Sequence, residues 1–350
     1  RSRWPRRRRC SLRRSRQVPG NEHHGEALAL WGRVLAFYPK GAPRRMVEVR
    51  RVAGGPGGAL ACCVLEGGEV VVAGADGRLR RVEPAHGGET AAIAAEQAGT
   101  TVLAVRGDGR VVAAGGRDGS IRLWDVSAAA PHARLTGHGG GITALGFTHE
   151  GELMSAGDDG SILVWPAADG ALPEQIAAGG EATLALAASD DGRFLASAGW
   201  DSQVTIWDLE RRVELRRLEG HEGPIHALAF SPDCRVVASA GEDGTIRLWE
   251  PLGGRCLRVL AGHEGAVRRV AFTPDARFVL SAGKDATLKL WDPRTGVAAL
   301  SVGGHAGPIT DLALDPGGSA AVSTGADASV RLWFIDWEPE PPERGGWDDR

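Results

Sequence analysis

The chain has 350 residues, of which 43 % are apolar and 24 % charged, with a net charge of −3. That composition, with a mean hydropathy of −0.16, supplies ample material for a core and excludes wholesale disorder. No apolar run approaches the ~18 residues of a membrane span, and the arginine-rich start has no signal-peptide stretch behind it, so neither a membrane nor secretion is indicated.

Residues 1–22 read as a basic disordered arm. Arg1 to Gly20 holds nine arginines and no acid, which leaves −12 for the remainder. No aromatic platform is interleaved with those arginines and the rest of the chain is acidic, so nucleic acid is not the expected partner. Residues 23–45 read as a helical extension and linker. Leu28, Trp31, Leu35 and Tyr38 share one face of a helix over 24–39. Ala27 and Pro39 there resemble the second helix of a tetratricopeptide repeat. The start at Arg1 without Met is expected of a piece of a longer protein. Cys10, Cys62, Cys63, Cys234 and Cys256 form no C-x-x-C pair, and Asn21 stands in no glycosylation acceptor. A cytoplasmic chain without metal or cofactor is the expectation.

Tryptophan spacing sets the architecture of the remaining residues. The phrases GSIRLWD, GSILVWP, SQVTIWD, GTIRLWE, ATLKLWD and ASVRLWF place Trp124, Trp165, Trp207, Trp249, Trp291 and Trp333 at steps of 41, 42, 42, 42 and 42 residues. One more step of 42 backwards lands on Val82 in GRLRRVE, a degenerate seventh copy. A fixed period of this length marks a repeat architecture. Within one unit, Ile225 to Phe230 alternates and Ser231-Pro232-Asp233 is turn chemistry. Arg235 to Ala240 is apolar and β-branched, Gly241 to Gly244 turns again, and Thr245 to Glu250 and Arg255 to Leu260 complete four strands. A four-stranded sheet with both faces apolar cannot bury itself alone, so the copies must stack around an axis. The expected fold is an all-β, seven-bladed β-propeller of four-stranded antiparallel blades over residues 46–335, preceded by the short helix. An acidic tail, 336–350, follows it with six acids and two arginines.

Four units repeat His, Ser, Asp and Trp: His138, Ser155, Asp159, Trp165; His221, Ser239, Asp243, Trp249; His263, Ser281, Asp285, Trp291; and His305, Ser323, Asp327, Trp333. A serine triad needs one exposed nucleophile beside an oxyanion hole, a geometry that does not recur in every repeat. There is no Walker A loop or kinase signature either. No enzyme is expected. The Asp recurs in all seven units, from Asp76 and Asp118 through Asp201 to Asp327, while its companions decay. Gly54, Val72 and Val82 replace them in the first unit, Glu96 and Ala114 in the second, and Gly179 replaces His in the fourth.

The dipeptides Gly137-His138, Gly220-His221, Gly262-His263 and Gly304-His305, with the Trp-Asp-type endings, resemble the WD-repeat β-propeller family. The resemblance implies that each His, Ser, Asp and Trp set is a hydrogen-bonded structural tetrad. It also implies that the strand near Met46 to Val52 completes the last blade. The loops carrying Gly-His and Asp would then form a docking platform for a protein or peptide, on a single propeller within a larger assembly. Two positions per unit should point there: the residue before the Asp, and the fifth after the His position. They give Arg117 in the second unit and Ala59 in the first, and in the fourth to sixth units Leu184, Trp200, His226, Glu242, Arg268 and Lys284. An exposed aromatic ringed by charge is how interaction hot spots are built. The ending Leu332-Trp333-Phe334-Ile335-Asp336-Trp337-Glu338 is similar to that of bacterial WD-repeat proteins joined to serine/threonine kinase or tetratricopeptide modules. The alternative expectation is therefore a regulatory or sensor segment of a larger enzyme.

Overall fold

The computed structural model describes residues 41–338, apart from 56, 66–67, 83–88, 94–98, 129, 167–171 and 178–179. The basic arm, the expected helix over 24–39, Glu96, Gly179 and the tail beyond 338 lie outside the described residues. Among the described residues every regular element is a β-strand.

The strands form seven four-stranded antiparallel sheets. Blade 1 spans residues 59–93, blade 2 100–136, blade 3 142–177, blade 4 183–218, blade 5 225–261 and blade 6 267–303. In each of these the strands pair in chain order. Blade 7, residues 309–337, takes its fourth strand from the other end of the repeats: Pro43–Ala53 pairs with Ser329–Trp337. The closing strand begins at Pro43, inside the residues read as linker, and its partner runs on through Asp336 and Trp337. Trp337 continues the sheet and lays its ring 5.3 Å from that of Phe278 in blade 6.

Second strands such as Val237–Gly241 and Val279–Gly283 are buried along their whole length. Their side chains alternate between two neighbours, as the period of a strand requires. In blade 7, Ala320 and Val322 pack toward blade 1 while Ala321 packs toward blade 6. Each of seven apolar clusters joins one pair of adjacent blades, and the first strands touch around the whole ring.

The turn after the recurrent Asp needs a left-handed residue. Gly77, Gly119, Gly160 and Gly244 supply it in four blades, and Ser202, Ala286 and Ala328 hold the same region at φ 62, 63 and 59 in the others. Each L-residue there carries a strain of about 1–2 kcal/mol, so the turn is maintained even where glycine has been lost.

Candidate docking face

The four complete sets form hydrogen-bonded chains. In blade 5, Trp249 Nε1 donates to Ser239 Oγ at 2.8 Å, and Ser239 Oγ lies 2.7 Å from His221 Nε2. His221 Nδ1 lies 2.8 Å from Asp243 Oδ2. Because the ionised carboxylate can only accept, His221 Nδ1 carries the proton and donates it to Asp243, which leaves Nε2 to accept from the Ser239 hydroxyl. The chains of Trp165, Ser155, His138 and Asp159, of Trp291, Ser281, His263 and Asp285, and of Trp333, Ser323, His305 and Asp327 repeat this order. Ser155, Ser239, Ser281 and Ser323 are fully buried, so none offers its hydroxyl to a substrate.

The aspartates also take donors that the motif did not announce. Ser161, Thr245, Thr287 and Ser329, two residues after the Asp, each give it both hydroxyl and backbone N–H. A Ser or Thr at that offset in five copies, Ser120 after Asp118 included, was a legible signal. Burial works against the Asp159 charge, but the hydrogen bonds from Ser161, Gly139 and His138 outweigh it and hold its pKa down to about 2. Asp243, Asp285 and Asp327 lie below the usual carboxylate range for the same reasons.

Burial lowers the pKa of His221, His263 and His305. The folded state thus favours neutral imidazoles, and the unfolded chain takes up protons first, near pH 6.5. Stability present above about pH 6.5 is lost as the pH falls from there, and the depressed aspartates extend the loss below about pH 4. Melting temperature is expected to fall between pH 7.5 and 5, before the tetrad aspartates titrate. A flat profile over that interval would contradict neutral tetrad histidines.

The decayed blades solve the same problem with other atoms. In blade 1, where Gly54 stands for His, Arg80 reaches from the third strand to Asp76, with Nη1 2.9 Å from Oδ1. In blade 4, Trp207 Nε1 keeps its bond to Ser197 Oγ at 2.8 Å. Blade 2 has Ala114 in place of Ser, and the buried Trp124 Nε1 has no hydrogen-bond partner among the described residues. Ala114→Ser places a hydroxyl where the other blades have one, and is expected to stabilise the protein by about 1 kcal/mol in urea unfolding. No gain would mean that the indole N–H already has a partner, such as water.

All these loops emerge at one end of the ring. In blades 2, 4, 5 and 6 the residue before the Asp donates its backbone N–H to a carbonyl at the entry to the first strand. Arg117 bonds to Gly99, Trp200 to Ala182, Glu242 to Pro224 and Lys284 to Ala266, at 3.1, 3.2, 2.8 and 2.8 Å. Each first strand then carries a one-residue bulge at its mouth, at Leu60, Thr101, Thr143, Leu184, His226, Arg268 and Thr310. Bulges re-aim side chains. In blade 1 the position predicted, Ala59, is instead buried in the ladder and Leu60 takes the bulge, because the loop from Gly54 is one residue longer.

The bulge residues of blades 2 to 7 divide into two kinds. Thr101, Thr143 and Thr310 donate their hydroxyls to carbonyls of the following blade, at Ile142, Thr183 and Ala59. Blades 4 to 6 carry Leu184, His226 and Arg268 instead. His226 Nε2 lies 2.6 Å from Glu242 Oε2, and Lys284 Nζ takes the other carboxylate oxygen. Nε2 therefore carries the proton and Nδ1 faces Arg268, whose Nη1 is 3.3 Å away. Leu184, His226 and Arg268 line a cavity of about 470 Å³ at the mouth of the ring, with Arg117 on its far side. Glu242 and Lys284 join it through His226, while Trp200, 57 % exposed, stands outside the lining.

Sequence reasoning missed the layer beneath. Arg269 Nε donates to Asp311 Oδ1, and Asp311 Oδ2 accepts the Cys62 backbone N–H at 2.8 Å, so one carboxylate links blades 6, 7 and 1. Neither residue belongs to the repeated motif, and only the curvature of the ring brings them together.

No curated protein matches the chain. Comparison with protein-family models finds the WD domain, G-beta repeat, six times, at residues 94–125, 130–166, 179–208, 212–250, 254–292 and 297–333. These matches cover more than half of the sequence, and the degenerate blade 1 completes the ring that they imply. With seven sheets closed around one axis and six of the repeats matched, the chain belongs to the WD-repeat family of β-propellers.

Proposed function

We propose that this propeller is a non-catalytic scaffold that docks a protein or peptide on its loop face, at blades 4 to 6. One observation carries the reading: the bulge residue that staples neighbouring blades as threonine in blades 2, 3 and 7 is Leu184, His226 and Arg268 in three consecutive blades, beside an open cavity. These side chains contribute chemistry at the mouth where the threonines contribute ring closure. Trp200 adds a large exposed aromatic surface on the same rim. Tryptophan and arginine are enriched among the few residues that carry most of the binding energy of protein interfaces.

The test is affinity capture from a lysate of the source organism, comparing the wild-type chain with a Trp200→Ala, Arg268→Glu double variant whose melting curve matches wild type. A partner retained by wild type and lost by the variant is the expected result. Equal retention by both proteins would move docking off blades 4 to 6.

A further inference from the structure

We infer that the loop-face partner presents an acidic side chain, an internal Asp or Glu of an extended segment, to the guanidinium of Arg268; this rests on docking at the loop face. Four observations lead there. Arg268 is half-buried at the mouth, and no carboxylate stands within ion-pair distance of it among the described residues. Its one hydrogen-bonded neighbour is the His226 ring, approached by Nη1 alone. The carboxylate that could have neutralised it, Glu242, is already divided between His226 Nε2–H and Lys284. The adjacent Arg269, by contrast, has its carboxylate in Asp311.

A guanidinium presents five N–H donors in a planar fork that matches a carboxylate in bidentate fashion. Here one arm of the fork is steadied by an imidazole lone pair and the rest faces the cavity. Such an arrangement fixes the cation without discharging it, which lowers the ordering entropy lost on binding. Of the three arginines that line the cavity, Arg117 likewise has no ion pair among the described residues, Arg269 is held by Asp311, and Asp158 is the one carboxylate in the lining. The walls come from blades 2 to 6, so a segment held there crosses the mouth, with its acid in mid-segment. Leu184, beside His226 on the same cavity, gives an apolar neighbour of that acid a place to rest.

The experiment uses three degenerate hexapeptide pools on the full chain. Two are acetylated and amidated and differ only in a fixed central Glu or Gln; the third has no acid except a free C-terminal carboxylate. Wild type is expected to retain the Glu pool about ten-fold more tightly than the Gln pool. Arg268→Gln should erase that preference, whereas Lys289→Gln, on a lysine bonded to Ser301 away from the mouth, should leave it intact. Equal retention of the Glu and Gln pools, or a preference that survives Arg268→Gln, overturns the inference. Preference for the third pool above the Glu pool also overturns it, in favour of a chain terminus. If the Gln pool binds equally well and Trp200→Ala releases both, the docking face stands and only acid recognition fails. Retention of no pool overturns the inference, and the lysate capture then decides the face separately.

Discussion

Trp249→Ala is expected to destabilise the protein by about 3 to 5 kcal/mol in chemical unfolding. The ring is 2 % exposed and packs with Ile206, Leu218 and other residues of blade 4 as well as with its own blade. Truncation therefore opens a cavity at a blade interface, and it also deprives Ser239 Oγ of the donor it holds at 2.8 Å. The two contributions separate by a second substitution. Trp249→Phe keeps most of the volume and removes the N–H, so it should lose only about 1 to 2 kcal/mol. Equal losses for the two variants would show that the hydrogen bond, and not the packing, dominates. Because the same ring supports the blade that carries Trp200 and Leu184, the alanine variant is also expected to weaken docking at 25 °C while the protein remains folded.

Glu48→Ala is the second large effect, at about 2 to 3 kcal/mol. Glu48 lies on the closing strand and pairs with Arg331, whose side chain is 7 % exposed. Without it the buried guanidinium keeps Asp327, at 3.4 Å, and loses its nearer carboxylate. Glu48 is itself 30 % exposed, and solvent screening places the effect below that of a fully buried pair. The double variant Glu48→Leu, Arg331→Met removes both charges and is expected to regain most of the loss. A double variant as unstable as the single one would show that the closing strand depends on that ion pair and not on apolar contact. Unfolding rates should rise in Glu48→Ala by more than folding rates fall, if closure comes after the rate-limiting step.

The architecture was legible because the repeat is. Six tryptophans at nearly constant steps set the unit, and the step that lands on Val82 located a blade that the family comparison does not match. The strand reading from Ile225 onward differs from the ladder only at its ends, with Val237–Gly241 and Cys256–Ala261 shifted by one or two residues. Motif spacing also matches the bulged positions of the first strands in blades 2 to 7, since the bulge keeps a constant offset from the His position. Spacing could not show substitution by a different part of the chain. Arg80 does in blade 1 what histidine does elsewhere, from another strand, because the guanidinium is long enough to cross the blade. The carboxylate of Asp311 reaches blades 6 and 1 for a reason that no single repeat contains. The division of the bulges into threonine staples and the Leu184, His226 and Arg268 group likewise needed the carbonyl positions of the next blade.

The two partners of the closing sheet, Pro43–Ala53 and Ser329–Trp337, stand almost three hundred positions apart. On a ribosome the first of them is therefore made early and waits for the whole of the remaining propeller. During that interval it is an unpaired β-edge, the surface on which chains aggregate. Its sequence is guarded: Arg44, Arg45, Arg50 and Arg51 flank the apolar Met46, Val47 and Val49. The same four arginines would repel a second nascent copy and still admit the native partner, which brings Asp336 to Arg45 and Glu338 to Arg44. Charge on this strand thus discriminates between partners, opposing a copy of itself and matching the acids at the end of its native neighbour.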